Sequence, residues 1–261
     1  MESNSMNLSE NSGKNVLWNG CEMIRDADAC SSEIFRFLRY LAEKNLPVET
    51  PLFLADGKEH YRFVQAETVH PGPWTNESLF VIGGLVRALH DAGRSYIPEA
   101  PLRYRSWYLR EIGDTGRIWC HGDIAPWNML TLNGMPYVLI DWEYAGPLDP
   151  MVELARVCWL FCQLYDDDIA EMHGLPSPEL RAAQVRILCD GYGLCGKERA
   201  NMLDRIIEVI VCETAHEAID PKLTVQSVGE LWGFAWRCRS LYWIFRHRRM
   251  LEAALIYHRN T

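Results

Sequence analysis

The sequence has no unbroken run of about 18 apolar residues, and its first twenty residues (MESNSMNLSENSGKNVLWNG) are polar, so neither a membrane span nor a secretory leader is expected. It has no C-x-x-C pair among its nine cysteines, an odd number scattered along the chain. That excludes a disulfide framework or zinc site on spacing grounds and points to reduced core thiols in a cytoplasmic protein. Cys158 and Cys162 share a helical face, but no neighbouring His completes a ligand set. Nor is there an excess of positive charge. Against 35 Asp and Glu stand 26 Lys and Arg, a formal charge of −9, which argues against a broad nucleic-acid surface. The acidic balance suits solubility or a cationic small molecule. There is no internal repeat, no low-complexity tract and no G-x-G-x-x-G. What remains is an ordinary globular composition over 261 residues, 48% hydrophobic, enough for one large domain or two unequal lobes.

Along the chain, residues 1–12 are rich in Ser, Asn and Glu without apolar period and are expected to be a flexible tail. Val16–Trp18 and Cys21–Ile24 flank Asn19-Gly20, a dipeptide suited to a two-residue type I′ turn, and predict a hairpin. Ile34, Phe37, Leu38 and Leu41 repeat at helical spacing after Ser31-Ser32 and predict a helix to about Lys44. Pro47 and Pro51 stop it, and a second hairpin is expected around Asp56-Gly57. The turn-rich stretch Gln65–Trp74 is the expected hinge, dividing a β-rich lobe at 13–66 from a lobe at 67–261. In the second lobe a helix carries Ile82, Leu85, Val86 and Leu89 and ends at Gly93. Ile118–Cys120 is a short strand, Met129–Leu132 and Met135–Ile140 flank Asn133-Gly134, and the chain is nearly all helical from Pro150, with breaks at 174–176, 191–196 and 220–221.

Two segments carry chemistry: HGDIAPWN at 121–128 and LIDWE at 139–143. With Asn133-Gly134 as a two-residue turn, Asn128 would lie opposite Leu139, and Asp141 opposite Pro126. The resulting diagonal is roughly 7 to 8 Å. An amide oxygen and a carboxylate at one hairpin end suit Mg²⁺, which takes few protein ligands and completes its shell with phosphates and water. Asp123 stands five residues before Asn128, the spacing of a kinase catalytic loop with Gly in place of Arg. Asp166–Asp168 with Glu171 reads first as a solvated helix start and second as an attractor for a cationic substrate. Arg246, Arg248 and Arg249 read as a solvated helix face.

The pattern H-G-D-x-x-x-x-N, then I-D-W-x-x-A and G-x-x-D-P, resembles the aminoglycoside phosphotransferases and their choline kinase-like relatives. The resemblance is specific from about Ser78 to Trp159, weaker over Asn15–Gln65, and a matter of helical character after about Leu164. It implies an α+β, protein kinase-like two-lobed fold with a reduced β-rich N-lobe and a mainly helical C-lobe. The implied activity is Mg²⁺-dependent transfer of the γ-phosphoryl of ATP or GTP to a hydroxyl of a small molecule, with no nucleic-acid or membrane partner. Carried over residue by residue, Asp123 is the catalytic base, Asn128 and Asp141 the metal ligands, Asp149 a structural anion and Glu143 a supplementary ligand. His121 is a hydrogen-bonded brace, since the analogous kinase His is not the proton acceptor, and His90 is a satisfied helix-end side chain.

The departure lies in the small lobe. The helix Glu is placed at Glu33, but the strand facing it offers Met23, Ile24 and Arg25 and no Lys. Arg25, oriented by Glu33, is the expected phosphate donor, although Arg and Lys are not geometrically interchangeable. Phe63 and Gln65, where the last strand meets the hinge, complete the expected nucleotide site. Only about fifteen residues precede the first hairpin, too few for a full first pair of strands. The alternative is therefore a non-catalytic nucleotide-binding or ligand-sensing module of the same fold; an Asp/His metallohydrolase has too few ligands.

Overall fold

The computed structural model describes residues 6–7, 16–113, 116–219 and 231–256. An antiparallel sheet opens the chain, built from β1 (Met6–Asn7), β2 (Leu17–Trp18), β3 (Glu22–Asp26), β4 (Pro51–Ala55) and β5 (Lys58–Arg62), in the order β1-β2-β3-β5-β4. The pair β1 and β2 corrects two expectations. Met6 and Asn7 lie in the segment read as a loose tail yet pair with Trp18 and Leu17, so a first pair of strands does precede β3. The residues joining them, 8–15, lie outside the described residues.

The three Asn-Gly or Asp-Gly turns behave differently. At Asp56-Gly57 and Asn133-Gly134 all four residues have positive φ, between 50° and 74°, as a type I′ turn requires. At Asn19-Gly20 only Gly20 is positive. Here the Asn19 side chain accepts the N–H groups of Cys21 (3.1 Å) and Glu22 (2.9 Å), so a longer loop forms and Trp18 pairs with Met23.

The helix α1 (Ser31–Glu43) connects β3 to β4 and buries its predicted apolar positions together with Phe35; Phe35 packs against Tyr61 of β5 at 5.0 Å between ring centroids, and Phe37 against Trp119 at 6.0 Å. After the segment 63–75 comes α2 (Asn76–Ser95), capped by Thr75, whose side chain accepts the N–H of Ser78. Four short strands follow, forming two pairs. The strand β6 (Ile118–Cys120) pairs with β9 (Gly146–Leu148), and β7 (Met129–Leu132) with β8 (Met135–Leu139). Then come α3 (Pro150–Phe161), α4 (Asp167–Met172), α5 (Pro178–Tyr192), α6 (Gly196–Ala200), α7 (Met202–Ile219), α8 (Trp232–Arg246) and α9 (Arg248–Ile256). The break expected at 220–221 lies outside the described residues. No described helix is long and apolar enough to cross a membrane.

The core centres on α3, which is buried over nearly its whole length, and on the seam between α2 and α5. There Gly83 and Gly191 permit backbone contact: a Cβ at Gly83 would sit 2.2 Å from the Leu188 carbonyl oxygen. The acidic start of α4 is exposed at Asp167 and Asp168, as a solvated helix start should be, but its carboxylates are ion-paired. Asp166 and Asp168 pair with Arg239, and Asp167 accepts from Trp243 Nε1 (3.0 Å) and Arg246 (3.3 Å), which fastens α8 to α4. Arg246 and Arg248 are thus ion-paired, the latter to Asp204 and Glu252.

Candidate active site

The H-G-D segment leaves β6 at Cys120, turns through His121-Gly122-Asp123, and enters β7 after a single 3-10 turn at Pro126–Asn128. Gly122 is required at its position. Its φ is +89°, and a Cβ would stand 2.3 Å from the Tyr144 carbonyl oxygen. The His121 ring is buried and braced on both sides. Nδ1 accepts the Asp123 N–H (3.0 Å), so the proton sits on Nε2, which donates to the Ile140 carbonyl (3.1 Å). Burial lowers its pKa below the ordinary histidine value. With both nitrogens committed, His121 braces the loop.

A second brace lies behind it. His90 joins the Tyr192 hydroxyl (2.8 Å) to Glu153 (2.9 Å), and Glu153 also accepts the Gly122 N–H. Burial would raise the Glu153 carboxyl, but these donors hold it below the ordinary carboxylate range. His90, Cys120 and Glu153 have their ligand atoms within 4.8 Å of one another, yet both His90 nitrogens are spent on this relay.

The hairpin brings Asn128 and Asp141 closer in register than expected. A bulge between Leu130 and Thr131 leaves Tyr137 as the extra residue, so Met129 pairs with Leu139 and the Ile140 N–H donates to the Asn128 carbonyl (2.9 Å). Asn128 therefore stands opposite Ile140, correcting the Leu139 pairing, and Asp141 is the next residue. Asp141 takes φ +66° and its N–H donates to Glu49 Oε1 (3.0 Å). Trp142 packs against His121 (4.3 Å) and Phe37 of α1 (5.8 Å), anchoring the loop.

Asn128 Nδ2 donates to the Asp123 carbonyl and to Asp123 Oδ2, both at 3.0 Å. Both partners are acceptors, so the amide nitrogen must face them, and Oδ1 accepts no hydrogen bond from a described residue. The Asn128 amide oxygen and the carboxylate of Asp141, one residue beyond Asn128's partner in the hairpin, are hard-oxygen donors of the kind a divalent cation takes. Asp123 Oδ1 is 2.8 Å from Arg156 Nη1. Burial raises the Asp123 carboxyl above the ordinary range, and the Arg156 guanidinium offsets part of that.

In the small lobe, Arg25 contacts Glu49 and Asp141 and not the expected partner Glu33. Its Nη2 is 3.2 Å from Glu49 Oε2 and its Nη1 is 3.5 Å from Asp141 Oδ1. Burial works against its charge, but Glu49 and Asp141 overcompensate and hold it above its ordinary value. Glu33, expected to orient Arg25, is engaged elsewhere: it accepts from Arg36 (2.8 Å) and the Tyr96 hydroxyl (2.5 Å). The first turn of α1 faces the C-terminal part of the chain, and Glu49, in the Pro47–Pro51 connection, takes the position beneath β3. Glu143, expected as a supplementary ligand, is ion-paired to Arg105, which also binds Asp28 at 2.7 Å. Asp149 is fully buried and caps α3, accepting the Met151 N–H (2.8 Å). Phe63 packs on Trp18 at 5.5 Å, while Gln65 is exposed beside the bridge from Glu67 to Thr131.

Sequence reasoning passed over Glu49 and Arg156. The available signals were a lone acid between two prolines and a single cation in the otherwise apolar run Leu154–Phe161.

A strand cation paired to a buried acid, a braced H-G-D loop and a converging Asn and Asp define the architecture of a kinase-like phosphotransferase. The model of the phosphotransferase enzyme family matches residues 69–193. The trifolitoxin immunity protein of Rhizobium leguminosarum bv. trifolii is 41% identical over 243 residues, covering 90% of this chain and 93% of that protein. This chain belongs to the phosphotransferase enzyme family. Among solved structures, an amicoumacin kinase in complex with AMP-PNP, Ca²⁺ and Ami superposes with a TM-score of 0.70 at 12% identity, covering 97% of this chain and 89% of that one. A microcompartment-associated aminopropanol kinase does so with 0.64 at 12% identity, covering 98% and 96%. At such identities the likeness establishes the protein kinase-like α+β fold.

Proposed function

We propose that the protein transfers the γ-phosphoryl group of ATP or GTP to a hydroxyl of a small molecule, with Asp123 as base and Asn128 and Asp141 as ligands of Mg²⁺. The observation that carries this reading is the joint placement of Asp123, Asn128 and Asp141, tied by the Asn128 amide and the bulged hairpin. A bound Mg²⁺ supplies charge neutralisation for the phosphates. Asp123 accepts the proton of the acceptor hydroxyl as its oxygen forms a bond to phosphorus and the bond to the β-phosphate oxygen breaks, releasing the nucleoside diphosphate. Arg25 donates to the phosphates from β3, and Glu49 fixes its direction.

Similarity to a trifolitoxin immunity protein, on a fold shared with an amicoumacin kinase, supports a toxic acceptor, inactivated by phosphorylation in the cytoplasm, where nucleoside triphosphates are at hand. The replacement of the strand Lys by Arg25, already engaged by Asp141, favours the second reading, a module that binds nucleotide or ligand without turnover. Steady-state release of ADP or GDP over a panel of amino alcohols, sugars and hydroxyl-bearing toxins separates them. Turnover with one acceptor class supports the first; nucleotide binding without turnover on any acceptor supports the second.

A further inference from the structure

Arg156 has no part in the chemistry above, yet it is among the most deeply embedded charges in the molecule, with a side chain 5% exposed. A guanidinium in that position is tolerated only with partners. Its Nη1 contacts Asp123 Oδ1 (2.8 Å) and the Ile124 carbonyl (3.4 Å), and its Nε donates to Glu213 Oε2 (3.0 Å). Glu213 on α7 is itself held from two sides. The Tyr108 hydroxyl donates to the same oxygen, and Arg237 of α8 donates to Oε1 (3.0 Å). Arg237 also reaches Glu217 (3.5 Å), which is half exposed. Charges thus alternate from the catalytic loop through α3, α7 and α8 to the surface.

We propose that Arg156 is a positioning residue for the base Asp123, and that it transmits the placement of α7 and α8 to the catalytic loop. This rests on the phosphotransferase reading. The carboxylate of Asp123 is gripped at Oδ2 by Asn128 and at Oδ1 by Arg156. Held at one oxygen, a carboxylate still turns about its side-chain torsions; held at both, it presents its remaining lone pairs in one direction, the preorganisation a general base needs. The fork of Arg spans Asp123 and Glu213 together, which the single ammonium of Lys does not. The proton of the acceptor passes to Asp123 and none passes to Arg156.

The test compares Arg156→Lys and Arg156→Gln, each alone and combined with Asp123→Asn, by turnover of radiolabelled Mg-ATP with the acceptor found on the panel, or with water where none is found. Circular dichroism and ATP binding accompany each variant, and Arg156→Lys serves where Arg156→Gln does not fold. The expected result is a kcat lower by about tenfold to a hundredfold, the scale of a misplaced catalytic group, with the KM for ATP unchanged. In the Asp123→Asn background the same substitutions should add nothing further, because the group they position is gone. Wild-type kcat in Arg156→Lys and Arg156→Gln, or an equal loss in both backgrounds, overturns the proposal and leaves the phosphotransferase reading standing. Wild-type protein that binds Mg-ATP without turnover removes both.

Discussion

Substituting Arg25 tests the small-lobe assignment most directly. Arg25 makes two contacts with Glu49, at 3.2 and 3.5 Å, and the Glu49 side chain is only 4% exposed. Burial already holds the Glu49 carboxyl above its ordinary range with the guanidinium present. In Arg25→Ala that carboxylate must stay charged with the Asp141 N–H as its remaining donor and no opposite charge, or take up a proton. Breaking a buried pair from one side costs about 3 to 5 kcal/mol. Protonation of Glu49 offers an escape, which places this case near about 3 kcal/mol, or a fall in Tm of roughly 6 to 12 °C for a chain of this length. Urea denaturation followed by tryptophan fluorescence and circular dichroism measures the loss. Double-mutant cycles locate the partner: Arg25→Ala with Glu49→Gln should depart from additivity by about 1 to 3 kcal/mol, while Arg25→Ala with Glu33→Gln should be additive within about 0.5 kcal/mol. A Tm for Arg25→Ala unchanged to within about a degree, or coupling to Glu33 and not Glu49, would refute the reasoning.

Mg²⁺ and ATP together should raise the melting temperature more than either alone, since ligands that bind only the native state stabilise it. Asp141→Ala should remove the metal-dependent part of that shift, whereas Asp123→Asn should keep it and fall to a low residual turnover; equal loss of the shift in both shows the two roles wrongly divided. Gly83→Ala would force a Cβ against the Leu188 carbonyl and open the seam between α2 and α5, lowering stability by about 1 to 3 kcal/mol or more by chemical denaturation. Because the pKa of buried His121 lies below its unfolded value, the group costs nothing above about pH 6.5. As pH falls below that value the unfolded chain takes a proton the folded one refuses, at up to about 1.4 kcal/mol per pH unit. Denaturation midpoints between pH 8 and pH 5 should show this acid slope in the wild type and a shallower one in His121→Gln; identical slopes contradict the assignment.

By itself the sequence determined whatever depends on neighbours a few residues away. Asp56-Gly57 and Asn133-Gly134 close their hairpins because those residues accept positive φ. The spacing of Ile34, Phe37, Leu38 and Leu41 sets the buried face of α1, and the order of H-G-D, Asn128 and Asp141 marks the loop and the proposed metal ligands before any fold is known. Even locally it had blind spots. The side chain of Asn19 recruited two backbone donors and lengthened its turn, and one bulge shifted Asn128 from Leu139 to Ile140. The tertiary structure decided the partners of charges. Arg25 finds Glu49 across 24 residues and Asp141 across 116, Asp141 binds Glu49 across 92, and Arg156 joins Asp123 to a glutamate 57 residues further along. Such choices depend on which acid burial and packing carry to the same place, and no local propensity encodes that.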